Sequence, residues 1–147
     1  MEKIDLRLKM LREEKQYTQK QVMDIIGLTV GAYQSYEYQT AEPSLEKLIA
    51  FSELYDVSIE YLIGISEQRT FSQQFDKGNN TSFPSRLKTL RKENHMTQEQ
   101  VAALIHKSMR TYRRYEGGKN TPSLSVLIEL AVLFHISVDY LCGRNFL

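Results

Sequence analysis

The stretch TQEQVAALIHKSMRTYRRYE, residues 97–116, decides how this chain folds, because a closely similar stretch, TQKQVMDIIGLTVGAYQSYE, stands 79 positions earlier at residues 18–37. Extended outward without a gap, the match aligns residues 4–64 with residues 83–143, and 24 of these 61 pairs are identical. A repeat of about 80 residues is too long for a solenoid unit, whose faces are buried only by neighbouring repeats. Each copy is therefore predicted to be a complete domain.

Composition limits the class of protein. The 147 residues are 41% hydrophobic and 25% charged, which is ordinary for a globular protein, and the longest apolar stretch, residues 126–134, is too short to cross a bilayer. The first residues enter a charged helical pattern, which predicts a cytoplasmic protein without membrane contact. Cys142 is the only cysteine, and His95, His106 and His135 lack metal-ligand spacing. We expect no metal, no cofactor and, since no activated nucleophile is evident, no enzyme activity.

The two copies differ in charge. Residues 1–65 carry 7 Lys or Arg against 11 Asp or Glu, a net charge of −4, whereas residues 83–147 carry 10 against 5, a net charge of +5. The segment between them, residues 66–82, contributes two charges of each sign and is polar, which predicts a linker. A basic half beside an acidic half points to a polyanion partner for the basic half, and nucleic acid fits best.

Apolar residues recur at spacings of three and four in both copies, which predicts an all-α fold of two tandem five-helix domains. Thr18 with Gln21, and Thr97 with Gln100, match the capping box at the start of a helix. The predicted helices of the first copy span 5–15, 19–26, a third that opens at residue 29, 44–55 and 58–63. Those of the second copy span 84–94, 98–105, a third that opens at residue 108, 123–134 and 137–142.

The second and third predicted helices are joined by a very short turn, because Thr29 and Ser108 are further N-cap residues close behind the second helix. Gly27 lies in this turn in the first copy, where a residue with positive φ is useful, and His106 takes its place in the second copy. A helix, a short turn and a second helix with exposed polar residues is the layout of a DNA-binding helix-turn-helix.

At this point both copies resemble the Cro/C1-type (Xre) helix-turn-helix family of phage and bacterial repressors. In the second copy the resemblance rests on TQxQV at 97–101, YEGGK at 115–119, PSL at 122–124 and SVDYL at 137–141. In the first copy it rests on TQxQV at 18–22, YE at 36–37, PSL at 43–45 and SIEYL at 58–62. The resemblance implies two lambda-repressor-like domains and a transcriptional regulator, most naturally a repressor, that binds double-stranded DNA.

The resemblance also implies a set of contact residues, because this family places its third helix in the major groove. The expected base contacts are Met109, Arg110, Thr111, Arg113 and Arg114. The expected phosphate contacts are Gln98, Lys107, Lys119 and Asn120. Arginine suits base reading because its planar fork can donate two hydrogen bonds to guanine. Taken alone, the same residues also fit a solvated charged surface or an ordinary turn.

Two carboxylates stand at the end of the predicted third helices. By the family pattern, Glu37 is expected to pair with Arg12, and Glu116 with Arg91, so that each pair ties the third helix to the first. The pairs are interpreted as structural and not catalytic.

The corresponding face of the first copy lacks cations, since residues 28–42 contain no Lys or Arg. The weaker DNA candidates of this copy are Gln19, Lys20, Gln34 and Ser35. Because affinity for DNA depends on neutralised phosphates, this copy is expected to bind DNA weakly or not at all. Its surface would then serve a homodimer contact or a partner protein.

Two other interpretations stay open. Both copies could touch one operator, since a linker of about 17 residues can extend to roughly 55–60 Å, more than the ~34 Å between half-sites one turn apart. Alternatively, the protein could be an antitoxin or adaptor that grips a partner protein through its acidic first domain. The predicted domains are residues 1–65 and 83–147, joined by residues 66–82.

Overall fold

A computed structural model of the protein describes residues 4–69 and 82–143. The chain divides into two compact units, Met1–Ser72 and Gln73–Leu147, and the described part of each unit contains five helices and no strand. The all-α prediction is therefore confirmed. Within residues 4–69 and 82–143, no helix is long and apolar enough to span a membrane. Residues 70–81, which form most of the predicted linker, lie outside the described residues.

The helices of the two units correspond one to one. In the first unit they are α1 Leu8–Glu14, α2 Gln19–Ile26, α3 Val30–Glu37, α4 Leu45–Tyr55 and α5 Ile59–Leu62. In the second unit they are α6 Phe83–Glu93, α7 Gln98–Leu104, α8 Met109–Glu116, α9 Leu124–Leu133 and α10 Val138–Leu141.

The predicted capping boxes begin α2 and α7. The Thr18 hydroxyl accepts from the Gln21 amide at 3.1 Å, and the Gln21 side chain accepts from the Thr18 amide at 2.8 Å. Thr97 and Gln100 repeat both bonds at the same distances. These bonds satisfy backbone N–H groups that have no partner inside the helix, so the start of each helix is fixed by local chemistry.

The first helix begins later than the sequence predicts. The expected span was 5–15, but α1 starts at Leu8, because the amides of Asp5 and Arg7 donate to the carbonyls of Ile63 and Leu62 and keep the path of residues 4–7 outside the helix. This path runs close to Gly64, where an added Cβ would lie 2.7 Å from the Asp5 carbonyl oxygen. Because glycine has no Cβ, the backbone at residue 64 can pack directly against the backbone of Asp5.

The ends of several helices use the left-handed backbone region. Gly27 has φ +81° and His106 has φ +57° at the turn between the second and third helices, as predicted. After the third helix, Gly118 has φ +72° and its counterpart Gln39 has φ +61°. Gln39 is held there by its side chain, which accepts from the Leu6 amide. The described residues include six non-glycine positions of this kind, namely Gln16, Gln39, Asp56, His95, His106 and His135.

Each unit has a core of buried apolar side chains, most of which its helices supply. Tyr33 of the first unit and Tyr112 of the second are fully buried, Tyr115 is buried, and Tyr36 is half-buried. Cys142 is also buried and is a free thiol. The tyrosine face thus anchors the third helix of each unit. The opposite face is exposed in α8, whereas in α3 it is exposed at Val30 and Gly31 and half-buried at Gln34 and Ser35.

The start of the predicted linker packs on the first unit. Within the segment 66–69, Glu67 accepts from the Arg7 guanidinium at 2.6 Å, and Arg69 donates to both carboxylate oxygens of Glu14 at 2.7 and 3.1 Å. Both guanidinium groups lie over the ring of Tyr61, at 4.3 and 5.1 Å from its centroid. These contacts place residues 66–69 with the first unit, beyond the boundary at residue 65 that the sequence suggests.

Candidate nucleic-acid interface

Helices α7 and α8 form a helix-turn-helix in the second unit, and α8 has two distinct faces. Ser108 begins α8, because its hydroxyl accepts from the Thr111 amide at 3.1 Å. Tyr112 and Tyr115 turn inward and are buried. The opposite face carries the exposed side chains of Met109, Arg110, Arg113 and Arg114. Four of the five predicted base contacts therefore lie on one exposed face, and Thr111 lies at its half-buried margin.

Beneath this face a carboxylate is held by three donors. Glu116 accepts from the Arg91 guanidinium through both of its oxygens, from the Tyr112 hydroxyl at 2.8 Å and from the Gln98 amide at 2.9 Å. Burial alone would raise the pKa of Glu116, but the hydrogen bonds from Arg91, Gln98 and Tyr112 outweigh it and lower this pKa below its ordinary value. Arg91 also donates to the Met96 carbonyl at 3.0 Å, so α6, α7 and α8 are tied together.

Gln98 is the one predicted phosphate contact that the structure connects to this buried carboxylate. Its amide nitrogen donates to Glu116, and its amide oxygen accepts from Arg113 Nε at 3.3 Å. Gln98 therefore bridges a buried group and an exposed arginine of α8. No pattern in the sequence indicates this bridge, although Gln98 and Arg113 are separated by only 15 residues.

The other predicted phosphate contacts lie at the two ends of α8. Lys107 is exposed just before the helix, and Lys119 is exposed in the loop after it. The side-chain oxygen of Asn120 accepts from the Arg114 guanidinium. The amides of Lys119 and Asn120 both donate to the Arg114 carbonyl, at 2.9 and 3.3 Å, which fixes the path of the loop against the end of α8. Of the residues that the structure describes, five exposed cations thus lie on α8 or at its two ends: Lys107, Arg110, Arg113, Arg114 and Lys119.

The first unit repeats the buried arrangement. Arg12 donates to both oxygens of Glu37 at 3.2 and 2.9 Å, and the Gln19 amide donates to the same carboxylate at 3.3 Å. The Arg12 guanidinium also donates to the Tyr17 carbonyl at 3.0 Å. As in the second unit, burial would raise the pKa of Glu37, but the hydrogen bonds from Arg12 and Gln19 contribute to lowering it overall. The buried Tyr33 hydroxyl makes no hydrogen bond to any described residue, unlike its counterpart in the second unit. The weaker DNA candidate Gln19 is therefore directed at a buried carboxylate.

The exposed face of α3 is neutral and partly apolar. Val30 at its start is 56% exposed and Tyr38 just after its end is 63% exposed. Gly31 faces open space, and Gln34 is half-buried. The Ser35 hydroxyl donates to the Ala32 carbonyl at 2.6 Å, which is a bond within the helix. Of the four weaker DNA candidates, the exposed Lys20 on α2 is the only cation.

Two helix-turn-helix units, each built on a buried arginine–glutamate pair, define a protein of the helix-turn-helix class. A family model described as "Helix-turn-helix" matches residues 8–62 and 87–141, one match for each unit. These matches cover well over half of the chain, and the chain belongs to the helix-turn-helix family of Cro/C1 type. This family consists of DNA-binding transcriptional regulators.

Similar proteins carry the same description. The chain is 36% identical over 61 residues to YobD, an uncharacterized HTH-type transcriptional regulator of Bacillus subtilis, with 42% of this chain and 54% of that protein covered. It is 41% identical over 59 residues to RstR, a cryptic phage CTXphi transcriptional repressor of Vibrio cholerae, with 40% and 53% covered. The chain thus spans little more than half the length of these relatives.

Among solved structures, a transcriptional regulator from Listeria innocua is 35% identical to this chain. The similarity covers 45% of this chain and 62% of that one, with a TM-score of 0.43.

Proposed function

We propose that this protein is a sequence-specific regulator of transcription that represses its target by occupying double-stranded DNA. In this proposal α8 of the second unit enters the major groove. Arg110, Arg113 and Arg114 read base edges, while Lys107 and Lys119 contact phosphates on either side.

The contrast between α8 and α3 carries this proposal. Both helices occupy the same place above a buried arrangement of arginine, glutamate and glutamine, which we call the frame. The exposed face of α8 nevertheless presents three arginines and that of α3 none. Cations near the groove are needed because the sequence-independent part of DNA affinity comes from neutralised phosphates. The second unit meets this requirement through the cations of α8, and the net charge of +5 over residues 83–147 also favours binding to a polyanion.

Repression is supported by one of the relatives, which is described as a transcriptional repressor. A helix-turn-helix protein that covers a promoter needs no further chemistry in order to repress. For the first unit we propose a protein contact, either with a second copy of the chain or with a partner protein. This role is supported by the exposed apolar side chains of Ile25, Val30 and Tyr38.

The test compares two matched triple variants of the full chain. One replaces Arg110, Arg113 and Arg114 by alanine on α8, and the other replaces the aligned residues Gly31, Gln34 and Ser35 by alanine on α3. Both are assayed by gel shift on the DNA upstream of the protein's own gene. Since an arginine–guanine pair contributes about 1–3 kcal/mol, we expect the α8 variant to bind at least ~100-fold more weakly and the α3 variant to bind as the unchanged protein does.

Each alternative has its own outcome in this assay. Comparable losses in both variants would mean that both units touch the operator. Failure of the unchanged protein to bind any DNA, together with capture of a specific protein through the first unit, would replace the regulator by an adaptor. Unchanged binding by the α8 variant would reject the assignment of α8 as the reading helix.

A further inference from the structure

The three arginines of α8 are not held in the same way. Arg113 donates to the Gln98 side chain, and Arg114 donates to the Asn120 side chain. The Arg110 side chain makes no hydrogen bond to any residue that the structure describes. An exposed arginine that points freely into water loses side-chain entropy when it binds a base. One that is already held loses less, so the three residues are not equivalent readers.

Gln98 is itself held in place. Its amide nitrogen donates to Glu116 at 2.9 Å, and the side chain of Glu116 is only 4% exposed and paired with Arg91. Because a carboxylate can only accept, the nitrogen of the amide must face Glu116 and the oxygen must face outward, toward Arg113. The buried ion pair therefore decides that the amide oxygen of Gln98 is the end that faces Arg113.

The bond to Gln98 uses Nε of Arg113 and leaves the two terminal nitrogens at the far end of the guanidinium. Two parallel N–H groups are what the major-groove edge of guanine accepts, through O6 and N7. A guanidinium supported at Nε and open at its end is suited to this bidentate contact.

We infer that Gln98 is a positioning residue that orients Arg113 for base reading, and that it is not the phosphate contact its place at the start of α7 suggests. This inference rests on the proposed function, since it requires α8 to be the reading helix. It concerns the base specificity of that same site. Recognition of guanine by Arg113 depends on a chain of hydrogen bonds that runs from Arg91 through Glu116 and Gln98 to Arg113.

The first unit supplies the matched control. Gln19 makes the corresponding bond to Glu37 at 3.3 Å, but the residue aligned with Arg113 is Gln34. Replacing Gln19 therefore removes the same bond to a buried glutamate without touching any arginine of a reading face.

The experiment uses the full chain with Gln98→Met, which keeps the length of the side chain and removes both hydrogen bonds, and with Gln19→Met as control. Binding is measured on the preferred site, on the same site with single base pairs changed, and on unrelated DNA at several salt concentrations. We expect Gln98→Met to reduce discrimination at one G·C pair by about 10-fold. Affinity for unrelated DNA and its salt dependence should stay the same, and Gln19→Met should change neither.

A double-mutant cycle with Arg113→Ala decides the mechanism. If Gln98 acts through Arg113, Gln98→Met has no further effect on discrimination once Arg113 is alanine. Additive losses of discrimination would mean that Gln98 acts independently of Arg113, and an equal loss of affinity on every sequence would mean that Gln98 contacts phosphate. Either result would overturn the inference. Thermal unfolding of each variant shows whether the second unit is still folded at the temperature of the assay.

A second readout does not need DNA. The Nε–H signal of Arg113 in nitrogen-15 NMR should be more ordered than that of Arg110 in the unchanged protein and should become equally mobile in Gln98→Met. Equal mobility in the unchanged protein would reject the inference while the proposed function stands. Absence of DNA binding by the unchanged protein would instead reject the proposed function, and with it base reading by Arg113.

Discussion

In the first unit the third helix turns Val30 and Gly31 outward, whereas in the second unit the same helix turns Met109, Arg110 and Arg113 outward. Beneath both helices lies the same buried arrangement of arginine, glutamate and glutamine. The comparison teaches that the frame and the exposed face of this fold are separable. The frame fixes where the third helix lies, and the exposed residues decide what it can bind.

The largest effect is expected when the shared frame is broken. Glu116→Ala leaves Arg91 largely buried without its carboxylate, and removal of one partner of a buried ion pair typically costs about 3–5 kcal/mol. We expect the free energy of unfolding of the second unit to fall by this amount, and Glu37→Ala to do the same in the first unit. Hydrogen exchange of the amides of each unit measures the loss separately. A loss below ~1 kcal/mol in one unit would mean that the two frames are not equivalent.

The same carboxylates should make both units sensitive to acid. The pKa values of Glu37 and Glu116 are lowered on folding, so their contribution to stability is complete above the ordinary value of about 4.5 and is lost as the pH falls through the lower folded value. The double variant Glu37→Gln and Glu116→Gln should be less stable at pH 7 and should lose less stability between pH 5 and pH 2. Urea unfolding at each pH tests this, and an unchanged pH dependence would contradict the assignment.

A smaller effect should distinguish the proposed base contacts from the proposed phosphate contacts of the second unit. Under the proposed function, Arg110→Ala should change the preference among base pairs by about 1–3 kcal/mol, because a bidentate contact to a base would be lost. Lys119→Ala should weaken binding to every sequence alike and reduce the salt slope by about 1. Competition binding with base-substituted sites distinguishes the two. Equal losses on every site from both variants would show that Arg110 does not read a base.

The smallest effect is expected from the exposed face of the first unit. Gly31 lies inside α3, and a Cβ added there meets nothing within 4 Å. Gly31→Ala should raise the free energy of unfolding of this unit by about 0.5–1 kcal/mol, because alanine loses less backbone freedom in a helix. DNA binding should not change. Thermal unfolding and gel shift check the two statements, and weaker DNA binding would mean that this face approaches the operator.

The sequence predicted the helices well wherever their limits depend on neighbouring residues. The starts of α2 and α7 follow from Thr18 and Thr97, because a capping hydroxyl acts on an amide only three residues away. The start of α1 was wrong by three residues, since it depends on backbone bonds from Asp5 and Arg7 to the other end of the domain. Such pairing leaves no local pattern.

The candidate site shows the same division. The exposed arginines of α8 were predicted from the resemblance to the Cro/C1-type family, which implies that the third helix turns these residues outward. The bridge through Gln98 could not be predicted, since a glutamine at the start of a helix has the same local sequence whether it turns toward solvent or toward Glu116. The Arg69–Glu14 contact was missed for a similar reason, because its partners are 55 residues apart in the chain.

The residues with positive φ at the helix ends suggest substitutions that would make the protein more stable. Glycine is the usual residue at such positions, yet the described part of the chain places glutamine, aspartate or histidine at six of them. Domains of about 60 residues have small margins of stability, so even modest gains at His95 and His135, remote in sequence from α8, would matter. Glycine substitutions there should make the protein more stable for crystallisation while α8 keeps its native residues.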